Sequence, residues 1–321
     1  MKLVVQIPCL NEEATLPLVL KSIPKEIDGV DDIEILVIDD GSTDKTVEVA
    51  RSLGVKHFVR HSHRGLGYSF SAGVEYALKR GADIVVNTDG DNQYPQERIA
   101  DLVQPIVHGQ ADIVIADRQT HKIAHFSPFK KLLQRFGSYI VNKAAGTTLP
   151  DAASGFRAYS KDSLLQLNTV TRFSYCMETI IQAGNKRLKI VSLPVDTNPK
   201  TRESRLFKST FEHVRKSGMA IVRAYIMYKP YVIFGVTGTL LLIVGIVPFA
   251  RYVYLTFTDR SGSGHLQSLI LGMLLLIAAF LCFALNIIAD LIRINRTLIE
   301  QNLTHTKKIR FVDSHKTTDK S

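Results

Sequence analysis

Asp83-Ile84-Val85-Val86-Asn87-Thr88-Asp89-Gly90-Asp91-Asn92-Gln93 decides how this chain is read. The short apolar run at 84–87 suits a strand buried on both faces and is too brief for a helix. It ends on two carboxylates one residue apart, with a glycine between them. Such an oxygen-rich strand end suits a hard divalent cation, Mg²⁺ or Mn²⁺, of the kind that shares its coordination with phosphate. Asp-Gly-Asp is equally good turn chemistry, and Asp suits helix N-caps, so both readings stand for the triplet alone.

The surroundings weigh against a mere turn. Over the first two hundred residues, short apolar runs alternate with helical patterns. Strands are expected at 3–7, 34–38, 56–60, 84–87, 113–116 and 189–195, and helices at 13–22, 43–53, 67–80 and 96–107. That alternation predicts an α/β, Rossmann-like domain with a mostly parallel sheet. Ligands of open α/β sheets bind beyond the carboxyl ends of the strands. Four polar clusters follow predicted strands: Asn11-Glu12-Glu13, Asp39-Asp40-Gly41-Ser42, Asp89-Gly90-Asp91 and Asp117-Arg118. They would converge on one crevice.

Near residue 230 the composition changes. Residues 231–250 and 266–289 carry no charge. Twenty helical residues span roughly 30 Å, the thickness of bilayer hydrocarbon. A transmembrane hairpin is expected, against the alternative of two buried core helices. Eight Lys/Arg lie between Lys200 and Lys229 and five between Arg293 and Arg310, against Arg251 and Arg260 in the connecting loop. The positive-inside rule then puts the large domain and the tail in the cytoplasm. Phe207, Phe211, Val214, Met219, Ile221, Val222, Tyr225 and Ile226 alternate with basic residues, which fits an amphipathic helix on an anionic membrane face. The expected organisation is a catalytic domain at 1–205, a juxtamembrane segment at 206–229, the hairpin at 230–290 and a basic cytoplasmic tail at 291–321, polar and unstructured from 304 on.

The chain has 321 residues and a net charge of +10. Its calculated pI is about 9.4. That balance favours an anionic partner or basic membrane flanks. Cys9, Cys176 and Cys282 are far apart and odd in number, so neither a disulfide framework nor a metal spacing is expected. Residues 1–8 read as a first core strand, not as a signal peptide. His57, His61 and His63 have no carboxylate in metal-motif spacing and read as strand and loop residues.

Each cluster also has a bland reading. Asn11 can cap a helix, with Glu12 and Glu13 complementing its dipole. Ser42 or Thr43 can cap the next one. Asp39 and Asp40 can instead accept N–H groups from a nucleobase edge. His63-Arg64-Gly65-Leu66-Gly67 opens a helix whose N-terminus favours anions.

Ile7-Pro8-x-x-Asn11-Glu12, Val37-x-Asp39-Asp40-Gly41-Ser42-x-Asp44, Asp89-Gly90-Asp91-x-Gln93-x-Pro95 and Ser154-Gly155-Phe156-Arg157 occur in this order. The set resembles the family 2 glycosyltransferases of GT-A fold, in the branch of dolichol-phosphate mannosyltransferase and the bacterial polyprenyl-phosphate glycosyltransferases. It covers about residues 1–210. The resemblance implies that Pro8, Leu10, Asn11, Glu12, Asp39 and Asp40 line the nucleobase and ribose pocket. It implies that Asp89, Gly90, Asp91 and Gln93 hold the cation (Asp89, Asp91 and Gln93 as ligands) and the nucleotide diphosphate. Asp151 falls where relatives carry an acidic residue near the acceptor. Arg118, Arg135 and Arg202 are candidate phosphate clamps, with Arg205 and Lys208 assisting near the membrane. Leu10 stands where many relatives have Tyr.

The implied reaction is metal-dependent, inverting transfer from GDP-mannose or a UDP-hexose to a polyprenyl or dolichyl phosphate. The site would be the cytoplasmic face of the plasma membrane in a prokaryote, or of the ER membrane in a eukaryote. A lipid phosphate is already an anion, so a strong general base is unnecessary. A hydroxyl acceptor would make Asp151 the base. Two alternatives therefore stay open: a lipid or glycan hydroxyl acceptor, and a non-catalytic nucleotide-sugar binder. Processive polymer synthases are disfavoured, because the chain has no Trp and thus no Q-x-x-R-W motif. No nucleic-acid partner is expected, and homo-oligomer formation is left open.

Overall fold

The computed structural model describes residues 1–120, 128–169, 175–199, 218–219, 229, 231–258 and 266–313, with backbone only at 128–130 and 313. It comprises two compact units: 1–221 with 300–321, and 222–299.

The first unit is built on a 7-stranded sheet. Its strands are β1 (Lys2–Cys9), β2 (Asp32–Asp39), β3 (His57–Arg60), β4 (Ile84–Asn87), β5 (Ile113–Asp117), β6 (Arg157–Ser160) and β7 (Ile190–Pro194). Their order is β3-β2-β1-β4-β6-β5-β7. All neighbours run parallel except those of β6, which is antiparallel to both β4 and β5. β1 and β4 are buried almost throughout, which is why their sequences read as continuous apolar runs and not as an alternation. Helices α1 (Leu16–Ser22), α2 (Thr46–Ser52), α3 (Leu66–Lys79), α4 (Ile99–Val107), α5 (Pro128–Ala145), α6 (Lys161–Gln166) and α7 (Tyr175–Asn185) accompany the sheet. The six expected strands and the first four helices are present, within a few residues of their expected ends. β6, α5, α6 and α7 are additions to the sequence reading.

The antiparallel β6 matters for the site. Because it runs backwards, its beginning lies at the edge where β1, β2, β4 and β5 end. Asn87 of β4 pairs with Arg157 of β6, so the loop before β6 faces the loop after β4. The order of strands thus brings residues 151–156 to residues 88–93.

Up to residue 313 the tail departs from expectation. Thr304 was expected to begin an unstructured tail, but the last long helix runs to Lys308 and is followed by a π-helical turn, Ile309–Asp313. Within the first unit Glu300 pairs with Lys186 at 3.1 Å, and Arg310 pairs with Glu75 at 3.2 Å. Lys307 Nζ donates to Leu167 O at 2.7 Å, and Phe311 is buried. These contacts give the segment partners that a polar composition does not advertise.

The second unit is a helical hairpin of α8 (Val236–Thr258) and α9 (Leu266–Lys308, up to residue 299). Both helices are long and apolar enough to cross a membrane. Glycines let them approach. A Cβ added at Gly245 would lie 2.9 Å from Leu275 Cβ, one at Gly238 3.1 Å from the Phe283 ring, and one at Gly272 2.9 Å from Phe249 N. As the α8 partners advance from 238 to 249 the α9 partners retreat from 283 to 272, the mark of antiparallel packing through small residues. Leu240, Ile243, Leu274 and Phe280 point outward, each more than half exposed.

Candidate active site

The loops after β1 and β2 interlock. Asn11 N donates to Ser42 Oγ at 3.0 Å, and Thr43 N donates back to Asn11 Oδ1 at 2.8 Å. Glu12 N donates to Thr46 Oγ1 at 2.8 Å, and Lys45 N to Glu13 Oε2 at 2.9 Å. The expected capping roles are replaced by this lacing: α1 and α2 begin after Thr15 and Lys45, neither of which caps with its side chain. Asn11 adopts a positive φ of 58°, which Asn tolerates better than most residues.

Asp39 and Asp40 are buried at the end of β2. Asp39 accepts from Ser42 N at 2.8 Å and from Arg60 Nε at 3.1 Å. Asp40 accepts from Arg64 N at 2.7 Å and Gly65 N at 3.0 Å, with His61 Nδ1 at 3.2 Å and His63 Nδ1 at 2.9 Å. Its oxygens organise the loop leading into α3, work that the sequence reading did not assign to it. Two of the three histidines noted in the sequence, His61 and His63, are turned onto this carboxylate. Pro8, within β1, pairs with Ile38 of β2, and Leu10 follows Cys9, which pairs with Asp39.

Asp89, Gly90, Asp91 and Gln93 follow β4. Gly90 is buried, and Asp89, Asp91 and Gln93 are half-buried. Gln93 N donates to Asp91 Oδ1 at 3.2 Å. Thr15 Oγ1 lies 2.8 Å from Gly90 O. Asn198, which the sequence reading passed over, braces the loop from outside. Its Nδ2 reaches Asn92 O and Tyr94 O, each at 3.1 Å, and its N–H reaches Gln93 O at 3.0 Å. Two half-buried carboxylates on a braced loop fit a hard cation. A Cβ at Gly155 would lie 3.2 Å from Asp89 Oδ2, so the wall opposite is cut back to glycine. Among the described residues no three His, Cys, Asp or Glu side chains gather as a metal cage. A cation held here would complete its shell with water and phosphate oxygens, as Mg²⁺ does.

Across this edge, Arg118 and Asp151 form a two-pronged ion pair, Nε to Oδ2 at 2.6 Å and Nη2 to Oδ1 at 3.0 Å. Their side chains are only 16% and 1% exposed. Burial works to raise the Asp151 pKa, but the Arg118 charge and hydrogen bonds outweigh it and hold the carboxyl below its usual value. Burial works against charge on Arg118, and Asp151 reverses that too.

Arg157 was expected only as part of a motif. It is fully buried, donating Nε to Ser154 O at 2.7 Å, Nη2 to Ala152 O at 3.0 Å, and Nη1 to Cys176 O at 2.9 Å and Thr179 Oγ1 at 3.0 Å. It thereby holds the loop that carries Asp151. Arg135 is exposed on α5, beside the exposed apolar side chains Leu132, Phe136 and Tyr139. Arg202, Arg205 and Lys208 lie outside the described residues, as does most of the juxtamembrane segment.

The candidate site is thus a set of strand-end loops with paired carboxylates at one edge of an α/β sheet. Residues 4–167 match the glycosyl transferase family 2 profile, and the chain belongs to that family. It is 32% identical over 225 residues to the dolichol-phosphate mannosyltransferase of Pyrococcus furiosus, covering 67% of this chain and 62% of that one. It is 28% identical over 216 residues to the UDP-N-acetylglucosamine–dolichyl-phosphate N-acetylglucosaminyltransferase of Methanococcus voltae, covering 60% and 83%. In fold it is similar to glucosyl-3-phosphoglycerate synthase from Mycobacterium tuberculosis, solved with Mn²⁺, UDP-glucose and phosphoglyceric acid. The TM-score is 0.55 and the identity 22%, over 70% of this chain and 78% of that one. The fold is thus GT-A, with a mostly parallel mixed sheet, and the chain is a glycosyltransferase.

Proposed function

We propose that the chain moves a sugar from a nucleotide sugar to a polyprenyl or dolichyl phosphate, with inversion, at the cytoplasmic face of a membrane crossed by α8 and α9. Both relatives act, by name, with dolichyl phosphate, which supports the acceptor class. They differ in the sugar they are named for, so GDP-mannose and UDP-hexoses both remain donors under this reading.

The observation that carries the proposal is the Arg118–Asp151 pair. A hydroxyl acceptor must lose a proton, and an effective base needs a pKa near the working pH. Asp151 is held below the usual carboxylate range by its partner, a poor state for a base. A phosphate acceptor needs no base, because it arrives ionised. Asp151 then serves to aim Arg118 for the acceptor phosphate, with Arg135 as a second cation for it.

Asp89 and Asp91, with Gln93 beside them, would hold Mg²⁺ or Mn²⁺, which supplies charge stabilisation for the departing diphosphate. The laced loops after β1 and β2 would seat the nucleoside, with Pro8, Leu10, Asn11, Glu12 and Asp39 on its wall. Arg202, Arg205 and Lys208 are assigned to phosphate binding by family resemblance alone. The exposed Leu132, Phe136 and Tyr139 beside Arg135 suit an acceptor that is apolar with an anionic head. Transfer assayed in membranes tests the reading: Asp91→Ala should abolish it, and full activity in that variant would refute it.

A further inference from the structure

Gly155 lies where three elements meet. Its N–H donates to Tyr94 Oη at 3.0 Å. Its carbonyl accepts from Tyr175 Oη at 3.0 Å and from Asn87 Nδ2 at 3.1 Å. All three partners are buried, and Asn87 Nδ2 also donates to Tyr175 Oη at 2.6 Å. Both polar groups of this one residue are therefore pinned by side chains from β4, α7 and the loop after β4. Two residues on, Arg157 holds Ala152 O and Ser154 O, so the chain before Gly155 cannot slide.

A glycine pinned in this way is a fixed wall. A Cβ there would meet Asp89 Oδ2 at 3.2 Å, Tyr175 Oη at 3.3 Å and Asp89 Oδ1 at 3.5 Å. The first two contacts are tighter than van der Waals spacing, and the backbone has no slack with which to relieve them. The movable group is the Asp89 carboxylate.

We infer that Gly155 is a positioning residue for the cation: its locked backbone sets the orientation of the Asp89 carboxylate. This rests on the reading of Asp89 and Asp91 as the cation pair. A methyl at residue 155 therefore forces the Asp89 carboxylate to give by a few tenths of an ångström and shifts it relative to Asp91. Residues that orient metal ligands change affinity by about 10- to 100-fold when altered.

The test is Mn²⁺ affinity of the purified full chain in detergent, read from the EPR signal of free Mn²⁺ with UDP or GDP present. Gly155→Ala should weaken Mn²⁺ binding by about tenfold. Tyr94→Phe, which keeps the ring and releases the Gly155 N–H, should weaken it by a smaller factor. Gly137→Ala should leave it unchanged, since nothing lies within 4 Å of a Cβ there. Asp91→Ala should abolish it. Should Gly155→Ala fail to fold, Tyr94→Phe carries the test. Wild-type affinity in both Gly155→Ala and Tyr94→Phe, with Asp91→Ala inactive in binding, overturns the role of Gly155 alone. Wild-type affinity in Asp91→Ala, or no Mn²⁺ binding by the wild type, overturns the cation pair itself. A purely structural role for Gly155 would lower the thermal midpoint and leave Mn²⁺ affinity untouched.

Discussion

Replacing Arg118 with Met, Asp151 with Leu, and then both, measures what the buried pair does. Removing one partner of a buried ion pair costs roughly 3–5 kcal/mol, because the other charge is left without compensation. Arg118 keeps 16% side-chain exposure and Asp151 1%. Asp151→Leu, which strands the better-solvated arginine, should therefore fall near the low end, about 3 kcal/mol. Arg118→Met strands the sealed carboxylate and should cost more at neutral pH. There the carboxyl can escape by taking up a proton, so the deficit of Arg118→Met should shrink as pH falls. The wild type behaves oppositely. Its Asp151 pKa is lowered in the folded state, so the stabilisation is complete above the unfolded value of about 3.9 and drains away as pH falls through the folded one. The double replacement should be less destabilised than the sum of the singles, since apolar pairs of similar volume replace buried ion pairs well. Urea unfolding of the full chain in detergent, at pH 7 and pH 4, supplies the cycle. Single variants within about 0.5 kcal/mol of wild type, the range of ordinary surface changes, would refute the reasoning.

Asn198→Ala removes the two side-chain hydrogen bonds to Asn92 O and Tyr94 O, keeps the backbone one to Gln93 O, and should weaken cation and nucleotide binding by up to about tenfold, read by Mn²⁺ titration with UDP or GDP. Arg157→Met removes the buried donor that holds Ser154 O and Ala152 O and should cost at least about 3 kcal/mol by thermal or urea unfolding. Gly245→Cys combined with Leu275→Cys should form an intramolecular disulfide under mild oxidation, seen as a gel shift on reduction, after the helices part locally by about 1 Å from the built Cβ spacing of 2.9 Å. The pH–rate profile of the wild type should show no limb from Asp151 between pH 5 and pH 8, and a limb that disappears in Asp151→Asn would contradict this.

The parts of the fold that were legible in the sequence are those with a strong local signal. β1 and β4 are buried on both faces and advertise themselves as apolar runs, and the hairpin helices do so by length. β6 is only Arg-Ala-Tyr-Ser, opens on a charge, and owes its place to partners on both sides. No local pattern distinguishes it from a loop. The site divides along the same line. Asp89, Asp91 and Gln93 could be found from residue type and spacing. Tyr94, Tyr175, Asn87 and Asn198 act through contacts between residues far apart in the chain, the largest separation being 106 positions, from Asn92 to Asn198. Asp40 was singled out for its charge, and its partners His61, His63, Arg64 and Gly65 depend on how the loop before α3 folds back. Phe311 and its neighbours looked like a polar tail because their docking surface lies elsewhere in the chain.

The central claim concerns the acceptor. The most direct measurement supplies the purified chain with labelled nucleotide sugar, Mn²⁺ and either a polyprenyl phosphate or the matching polyprenol. Both GDP-mannose and UDP-hexose donors are offered. The account predicts transfer to the phosphate and none above background to the alcohol, with Asp91→Ala inactive on both. Equal or preferential transfer to the alcohol would contradict it.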